Sequence, residues 1–300
     1  MTISHRVAQP AELERLFAML DQEFVLSKGR KTSLASRYPS TYCAANAGNI
    51  FLAEENGQLI AACLCKRFEW QQPGRSWQGA MVGGVYTDPQ RRGKGIGGAL
   101  LQWVAQTLRG TGAEFAVLWS TQSGFYERLH WVAADIGMFG SCGSGVGSGE
   151  GLDSVRALPL AMSNDREIDD IRVQWLDAYV HRQALDYSQQ PIPAESVEVL
   201  LWSDDGESSS YALLGRTGGT GILYEMVGSE SGFNDLWESI RRRHKKIVIN
   251  ESLNTASYRW LLQNTDIAWE SKKLALWLPL SSEVDIAAMS QWYIPYFDRI

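Results

Sequence analysis

The sequence has little of what metal, redox and membrane proteins need. Its 300 residues include only four cysteines and four histidines. Cys43, Cys63, Cys65 and Cys142 form no Cys-x-x-Cys pair, and no histidine lies at metal-ligand spacing from them. A zinc centre, or any other metal site, is therefore not expected. Such sparse cysteines read as reduced thiols in a cytoplasmic protein, with Cys63 and Cys65 on one face of a strand. No apolar run approaches the ~18 residues that would span a bilayer. The opening residues, MTISHRVAQPAELERL, lack the basic, apolar and small-residue zones of a secretory signal. No membrane role is expected. The formal net charge is −6 and no extended basic face is visible, which argues against nucleic acid as a partner.

What is present suits a globular chain of two domains. Hydrophobic residues make up 45% and charged residues 21%, enough apolar material for sizeable cores. Charge is shared unevenly. Residues 1–150 carry 14 Lys+Arg against 12 Asp+Glu, a balance of +2, and the remainder carries 14 against 22, or −8. A near-neutral first half with a local basic cluster suits a phosphate-bearing ligand. An acidic second half would attract cations, although a solvated surface looks the same.

The first half alternates helical and strand patterns. Leu13, Leu16, Phe17, Leu20 and Phe24 form one helical stripe, and SLASRYPSTYCAANAG reads as a shorter helical region broken near Pro39. NIFLAEENGQLIAACLCKRFEW reads as a hairpin turning at Asn56-Gly57. WQGAMVGGVYTD is a further strand, in which Gly83-Gly84 predicts a bulge or the close approach of another backbone. Apolar residues from Ile96 to Leu108 keep helical spacing up to Gly110, EFAVLWS is a buried strand, and SGFYERL opens a short helix. WVAADIGMFG and SVRALPL read as two closing strands of this half, joined across SCGSGVGSGEG by a long hairpin loop. The expected division is 1–162 and 163–300. Beyond it, REIDDIRVQWLDAYV, NDLWESIRRRHKK and TASYRWLLQN read as helices. SYALLGR, TGILYEMVG, IVIN, LALWLPL and WYIPYF read as strands.

The most informative stretch is TDPQRRGKGIGGALL, Thr87 to Leu101. A strand that runs through a glycine turn into a helix gathers free backbone N–H groups at a positive helix end. Glycines allow close approach and positive φ, and Arg91, Arg92 and Lys94 add charge. A phosphate or pyrophosphate is the obvious ligand. A P-loop requires Ser or Thr after Gly-Lys, but Gly95 and Ile96 follow Lys94. Gly93-x-Gly95-x-x-Gly98 fits the dinucleotide fingerprint, yet no acid closes the next strand, which ends in Ser120-Thr121.

VYTDPQRRGKGIGGALL resembles the coenzyme A loop of the GNAT (general control N-acetyltransferase-related) superfamily. The Gln/Arg-x-x-Gly-x-Gly/Ala pattern stands here as Gln90-Arg91-Arg92-Gly93-Lys94-Gly95. VGGVYTDP before it and FYERLHWV after it extend the resemblance over roughly the first half. The resemblance implies an α/β fold of the α+β type, a mixed and mostly antiparallel sheet flanked by helices. It also implies acetyl-CoA as co-substrate and an amine acceptor, a small molecule or a peptide. By position, Val85 and Thr87 would face the pantetheine arm, and Arg92, Gly93, Lys94, Gly95, Ile96 and Gly97 would surround the pyrophosphate. Tyr126 would be the catalytic acid that protonates the departing sulfur.

An alkylammonium near pKa ~10.4 must first lose a proton, at roughly 4–5 kcal/mol at neutral pH without help. The family's usual glutamate is missing from QGAMVGG. Glu69, Asp88 and the carboxylate of Ile300 remain candidates for the base, Asp88 also reading as a turn residue and Glu69 as a surface charge. A non-catalytic acyl-CoA-binding module is the alternative reading. The second half has Gly228 and Gly232 at the matching place but no basic residues there. It resembles a degenerate GNAT-like domain that packs on the first and shapes its acceptor pocket.

Overall fold

The computed structural model describes residues 2–143, 152–204 and 207–300. The first half contains β1 (Ile3–Val7), α1 (Leu13–Phe24), α2 (Leu34–Arg37), β2 (Ile50–Glu55), β3 (Gln58–Gln72) and β4 (Arg75–Thr87). It continues with α3 (Ile96–Gly110), β5 (Phe115–Trp119), α4 (Ser123–Glu127), β6 (Val132–Ala133) and β7 (Gly137–Gly143). Then follow β8 (Val155–Pro159), α5 (Asp165–Trp175), β9 (Tyr179–Val180), β10 (Ser196–Asp204), β11 (Glu207–Thr217) and β12 (Thr220–Val227). The chain goes on through α6 (Glu230–Arg243), β13 (Lys246–Ser252), α7 (Ala256–Asn264), β14 (Ala268–Ser271), β15 (Ala275–Pro279) and α8 (Ile286–Met289).

The described residues form two mixed sheets, each with a single parallel pair among them. The first runs β1-β2-β3-β4-β5-β15-β6, with β9 added to β3, and β4 and β5 are its parallel pair. The second runs β14-β7-β13-β12-β11-β10-β8, and its parallel pair is β12 and β13. The β2–β3 hairpin forms where expected. Asn56 and Gly57 both take positive φ, 52° and 74°, as a two-residue turn between right-twisted strands requires.

The sheets do not divide the chain at residue 162. β7 lies between β13 and β14 in the second sheet, and β15, from near the far end of the chain, lies between β5 and β6 in the first. The expected hairpin of β7 and β8 does not form, because β8 pairs with β10 on the opposite side of that sheet. The Gly/Ser segment is only partly a connection. Ser141, Cys142 and Gly143 are strand residues, and 144–151 lie outside the described residues. Packing explains why glycine occurs in that strand. A Cβ on Gly140 would come within 2.7–2.9 Å of Ile267 and Trp269. Likewise β15 belongs to the first core, where Trp277 is fully buried against Phe115 and Trp292.

The stretch 292–297, expected as a strand, forms no ladder. Pro295 has no N–H to offer one, and a single 3-10 turn follows at Tyr296–Asp298. Its apolar side chains Trp292, Ile294 and Phe297 are nonetheless buried.

The first sheet has two distinct faces. Ala61, Cys63 and Cys65 of β3, Ala80 and Val82 of β4, and Ala116 and Leu118 of β5 pack under α3. Their alternating neighbours face the other way. Ala62 and Leu64 pack under α1, while Met81, Phe115 and Val117 meet the 284–294 segment. Among the described residues no helix is long and apolar enough to cross a membrane, and no group of His, Cys, Asp and Glu could hold a metal ion.

Candidate active site

The site is built where β4 and β5 part. Their pairing covers Gly79–Met81 against Phe115–Val117 and then stops, while β4 continues to Thr87. From Val82 onward β4 is bonded to β3 alone, which leaves its other edge free to receive an extended ligand. A bulge re-aims the strand here: Gly84 and Val85 together oppose Cys63, and Gly84 takes φ 56°. Val85 then packs towards the α3 face and Tyr86 towards the α1 face.

Beyond Thr87 the chain turns through Asp88, whose carboxylate accepts from the N–H of Gln90 at 2.8 Å. Asp88 is thus a turn residue. Gly93 and Gly95 both take φ 78°, a conformation that glycine adopts without strain, immediately ahead of α3. No side chain caps α3, and its first recorded helical bond runs from the N–H of Ala99 to Gly95, which leaves the N–H groups of Ile96, Gly97 and Gly98 for a ligand. A Cβ on Gly97 would sit 2.9 Å from Oγ1 of Thr87, so strand end and helix start touch.

The three cations of the loop differ. Arg91 is paired with Glu55 at 2.7 Å. Arg92 is paired with Glu23 at 2.8 Å and donates through Nε to the carbonyl of Thr87 at 3.0 Å, so it braces the loop from outside. Lys94 is exposed, and among the described residues no ion pair reaches it. The loop therefore carries one uncommitted positive charge beside its free amides.

Tyr126 lies on α4, its ring edge-on to Phe125 and Trp131. Burial pushes its phenol up to about 12, helped by the nearby Cys63 sulfur and opposed by a hydrogen bond with Ser120. The phenol is protonated throughout the neutral range. Cys63 is also the residue opposite the β4 bulge, so Tyr126 stands on the α3 side of the opening. His130 takes φ 66° and ends this helical turn, and its N–H donates to the carbonyl of Glu127.

Glu69 is elsewhere. It is opposite Gln78, its carboxylate accepts from Gln71 and Gln78, and five strand residues, roughly 17 Å, separate it from Leu64 opposite Gly83. Ile300, in contrast, is at the opening. A Cβ on Gly83 would meet its side chain at 3.1 Å and its main-chain oxygen at 3.4 Å. Gly83 is paired with Leu64, so Ile300 covers the α1 face, opposite Tyr126. The neighbouring guanidinium of Arg299 lies 4.9 Å from the Trp119 ring at the end of β5.

Sequence reasoning missed what holds this last segment. Asp298 is fully buried against Arg182, and Arg182 also reaches Glu225 on β12. Arg182 and Asp298 are 116 residues apart, and no local pattern connects them.

The second sheet has an opening of the same kind but filled differently. β12 and β13 pair from Thr220/Lys246 to Leu223/Ile249 and then separate. Ser229 caps α6 by accepting from the N–H of Gly232, and its own N–H donates to Ser210. A Cβ on Gly228 or Gly232 would collide with Ser210 at 2.0–2.1 Å. The space beside this helix start is filled by Ser210.

Residues 4–134 match the acetyltransferase (GNAT) domain family, and this part of the chain is a GNAT domain. The fold of the whole chain is that of tandem GNAT proteins. A GCN5-related N-acetyltransferase from Anabaena variabilis is similar over 93% of this chain and 73% of its own, with TM-score 0.74 and 16% identity. Eis1 from Mycobacterium abscessus is similar over 97% and 76%, with TM-score 0.65 and 15% identity. A tandem GNAT protein from the clavulanic acid biosynthesis pathway is similar over 93% and 99%, with TM-score 0.56 and 9% identity. No curated protein matches the sequence.

Proposed function

We propose that this protein is an N-acetyltransferase that moves the acetyl group of acetyl-CoA to an amine, with residues 1–162 holding the donor and residues 163–300 shaping the acceptor side. One observation carries the reading: the free edge of β4, the uncapped start of α3 and a protonated tyrosine meet at one opening.

The donor supplies a thioester carbonyl and a thiolate leaving group. Val85 and Thr87 lie on the arm-facing stretch of β4. The amides of the Arg92–Gly97 loop, with Lys94, suit the two charges of a pyrophosphate. Tyr126 acts at the sulfur. Complete transfer from a phenol near 12 to a thiolate of ordinary pKa ~8.5 is uphill by about 5 kcal/mol. Its contribution is therefore a hydrogen bond that strengthens as negative charge builds on sulfur. The proton passes over as the thiol departs, and the phenol recovers one from solvent in place of the proton that the acylated nitrogen releases. Glu69 is too distant and Asp88 too engaged in its turn to take the proton of the amine, and of the three candidates only the weakly basic carboxylate of Ile300 stands at the opening. The rate is therefore expected to rise with pH as the neutral amine fraction grows.

Thiol release from acetyl-CoA with a panel of a monoamine, spermine, an aminoglycoside and a lysine peptide tests the reading. Amine-dependent release is the expected result. Binding of acetyl-CoA without release by any amine would leave a non-catalytic acyl-CoA-binding module. Absence of binding would end both readings.

A further inference from the structure

We propose that the buried charge cluster of the second sheet is a positioning device for the amine side of the site, with Arg182 and Asp298 as the positioning residues. The inference rests on the acyltransferase reading above. Asp298, itself without exposed surface, holds Arg182 in a two-pronged pair, Nε to Oδ1 at 2.7 Å and Nη2 to Oδ2 at 3.0 Å. Nη2 of Arg182 also donates to Glu225 at 2.8 Å, and Arg172 lies 3.8 Å from the other oxygen of Glu225. Glu225 belongs to the stretch of β12 beyond its pairing with β13, the stretch that corresponds to the free edge of β4. In the second sheet, that stretch carries the anchor of a peptide segment.

The anchored segment ends at the catalytic opening. One residue past Asp298, Arg299 is enclosed by the rings of Trp119, Tyr293 and Tyr296 and donates through Nε to the carbonyl of Ile294 at 3.0 Å. Two residues past it, Ile300 rests on Gly83. The segment thus touches both diverging strands, at Gly83 on β4 and Trp119 on β5, on the face away from Tyr126. An amine that adds to the face of the thioester carbonyl turned away from Tyr126 would arrive along this wall. Stability does not require ions here, since an apolar replacement of a buried ion pair is commonly neutral or stabilising. The planar fork of arginine on a carboxylate instead fixes direction and register.

The decisive variant removes the two-pronged pair together, Arg182→Met and Asp298→Leu in one chain, and leaves Glu225 to the buried Arg172. The fold should persist, with a thermal midpoint at or above that of the unaltered protein. Hydrogen exchange should lose protection in residues 290–300 and not elsewhere. With the amine of the panel that gives the fastest thiol release, kcat/KM for the amine should fall about 10- to 100-fold, the scale of a reactant misplaced by about 1 Å. The Kd for acetyl-CoA should stay within about twofold. Unchanged kcat/KM or unchanged protection would overturn the positioning role, and so would a parallel loss of acetyl-CoA affinity. Should the double variant fail to fold, Arg182→Lys keeps the charge and loses the fork. It should show the same split at smaller amplitude, and full activity there would equally refute the role. If the unaltered chain gives no amine-dependent release, the acyltransferase reading fails first and this role with it. An active parent beside an equally active variant sinks the positioning role alone.

Discussion

The two sheets pose the same structural problem and solve it in opposite ways. In each, a parallel pair of strands separates partway along, and a helix begins just beyond the longer free edge. In the first, the helix starts at Gly95 with φ 78° and no capping side chain, and an uncommitted lysine stands beside it. In the second, Ser229 caps the helix, Ser210 fills the space over Gly228, and Glu225 and Glu251 line the opening. An anion-binding helix start thus depends on what is left unsatisfied. Where a serine does the satisfying, the same architecture serves packing.

The comparison can be broken at several points. The largest effect is expected at Tyr126: Tyr126→Phe should lower kcat by about 100-fold or more, measured by thiol release, with acetyl-CoA binding retained. Undiminished turnover would remove the phenol from the chemistry. Next comes Glu251, a fully buried carboxyl with no cationic partner among the described residues, pushed up to about 7 by burial against the pull of Ser257 and Thr255. A carboxyl raised in the folded state supports stability fully below its unfolded value near 4.3 and ceases to do so as pH rises through about 7. The unfolding free energy should therefore drop by up to about 3 kcal/mol between pH 5 and pH 8 through this group. Glu251→Gln should flatten that slope in denaturant titrations, and a slope shared by parent and variant would exclude the group.

Third is Gly95→Val, which forces a β-branched residue to positive φ. It should weaken acetyl-CoA binding about 10- to 100-fold by calorimetry, the equivalent of about 1–3 kcal/mol of strain. The matching change in the other opening is the sharpest contrast. Ser229→Ala should cost about 1 kcal/mol of stability as a lost helix cap and leave acetyl-CoA affinity untouched. Smallest of all, Lys94→Ala should weaken acetyl-CoA about threefold, and the difference should shrink in high salt.

What could be read in the sequence was local. The Asn56-Gly57 turn, the bulge at Gly84 and the Gly93–Gly98 loop each depend on backbone angles that the residues themselves prefer. Each appears where the sequence puts it. The stripe of Leu13, Leu16 and Leu20 follows from helical period alone, and all three are buried. What could not be read was partnership across distance. Nothing in LALWLPL says that β15 will insert between β5 and β6 rather than close the second sheet, since a short apolar strand fits either core. WYIPYF has the apolar content of a strand, but Pro295 denies it a ladder, and its rings pack regardless. Ser141, Cys142 and Gly143 read as the start of a Gly/Ser loop by composition, yet they close a strand whose Gly140 lies under Ile267 and Trp269. The proposed donor side falls almost wholly in one continuous stretch, 82–97, so a single window of sequence could suggest it. The proposed amine side draws on Gly83, Trp119, Arg182, Glu225 and residues 298–300, and no window of sequence contains it.

The placement of β15 also sets a timetable for synthesis. β5 is complete when residue 119 has left the ribosome, but its second neighbour is not made until residue 279. At roughly 5–20 residues per second, that edge of the first sheet stays bare for roughly ten to thirty seconds. During this interval the hydrophobic face of Phe115 and Val117 lacks Trp277, and β7 is waiting for β13 in turn. The halves are interlocked in time as well as in space, so a nascent chain stalled near residue 162 would present an open strand edge to chaperones instead of a finished domain.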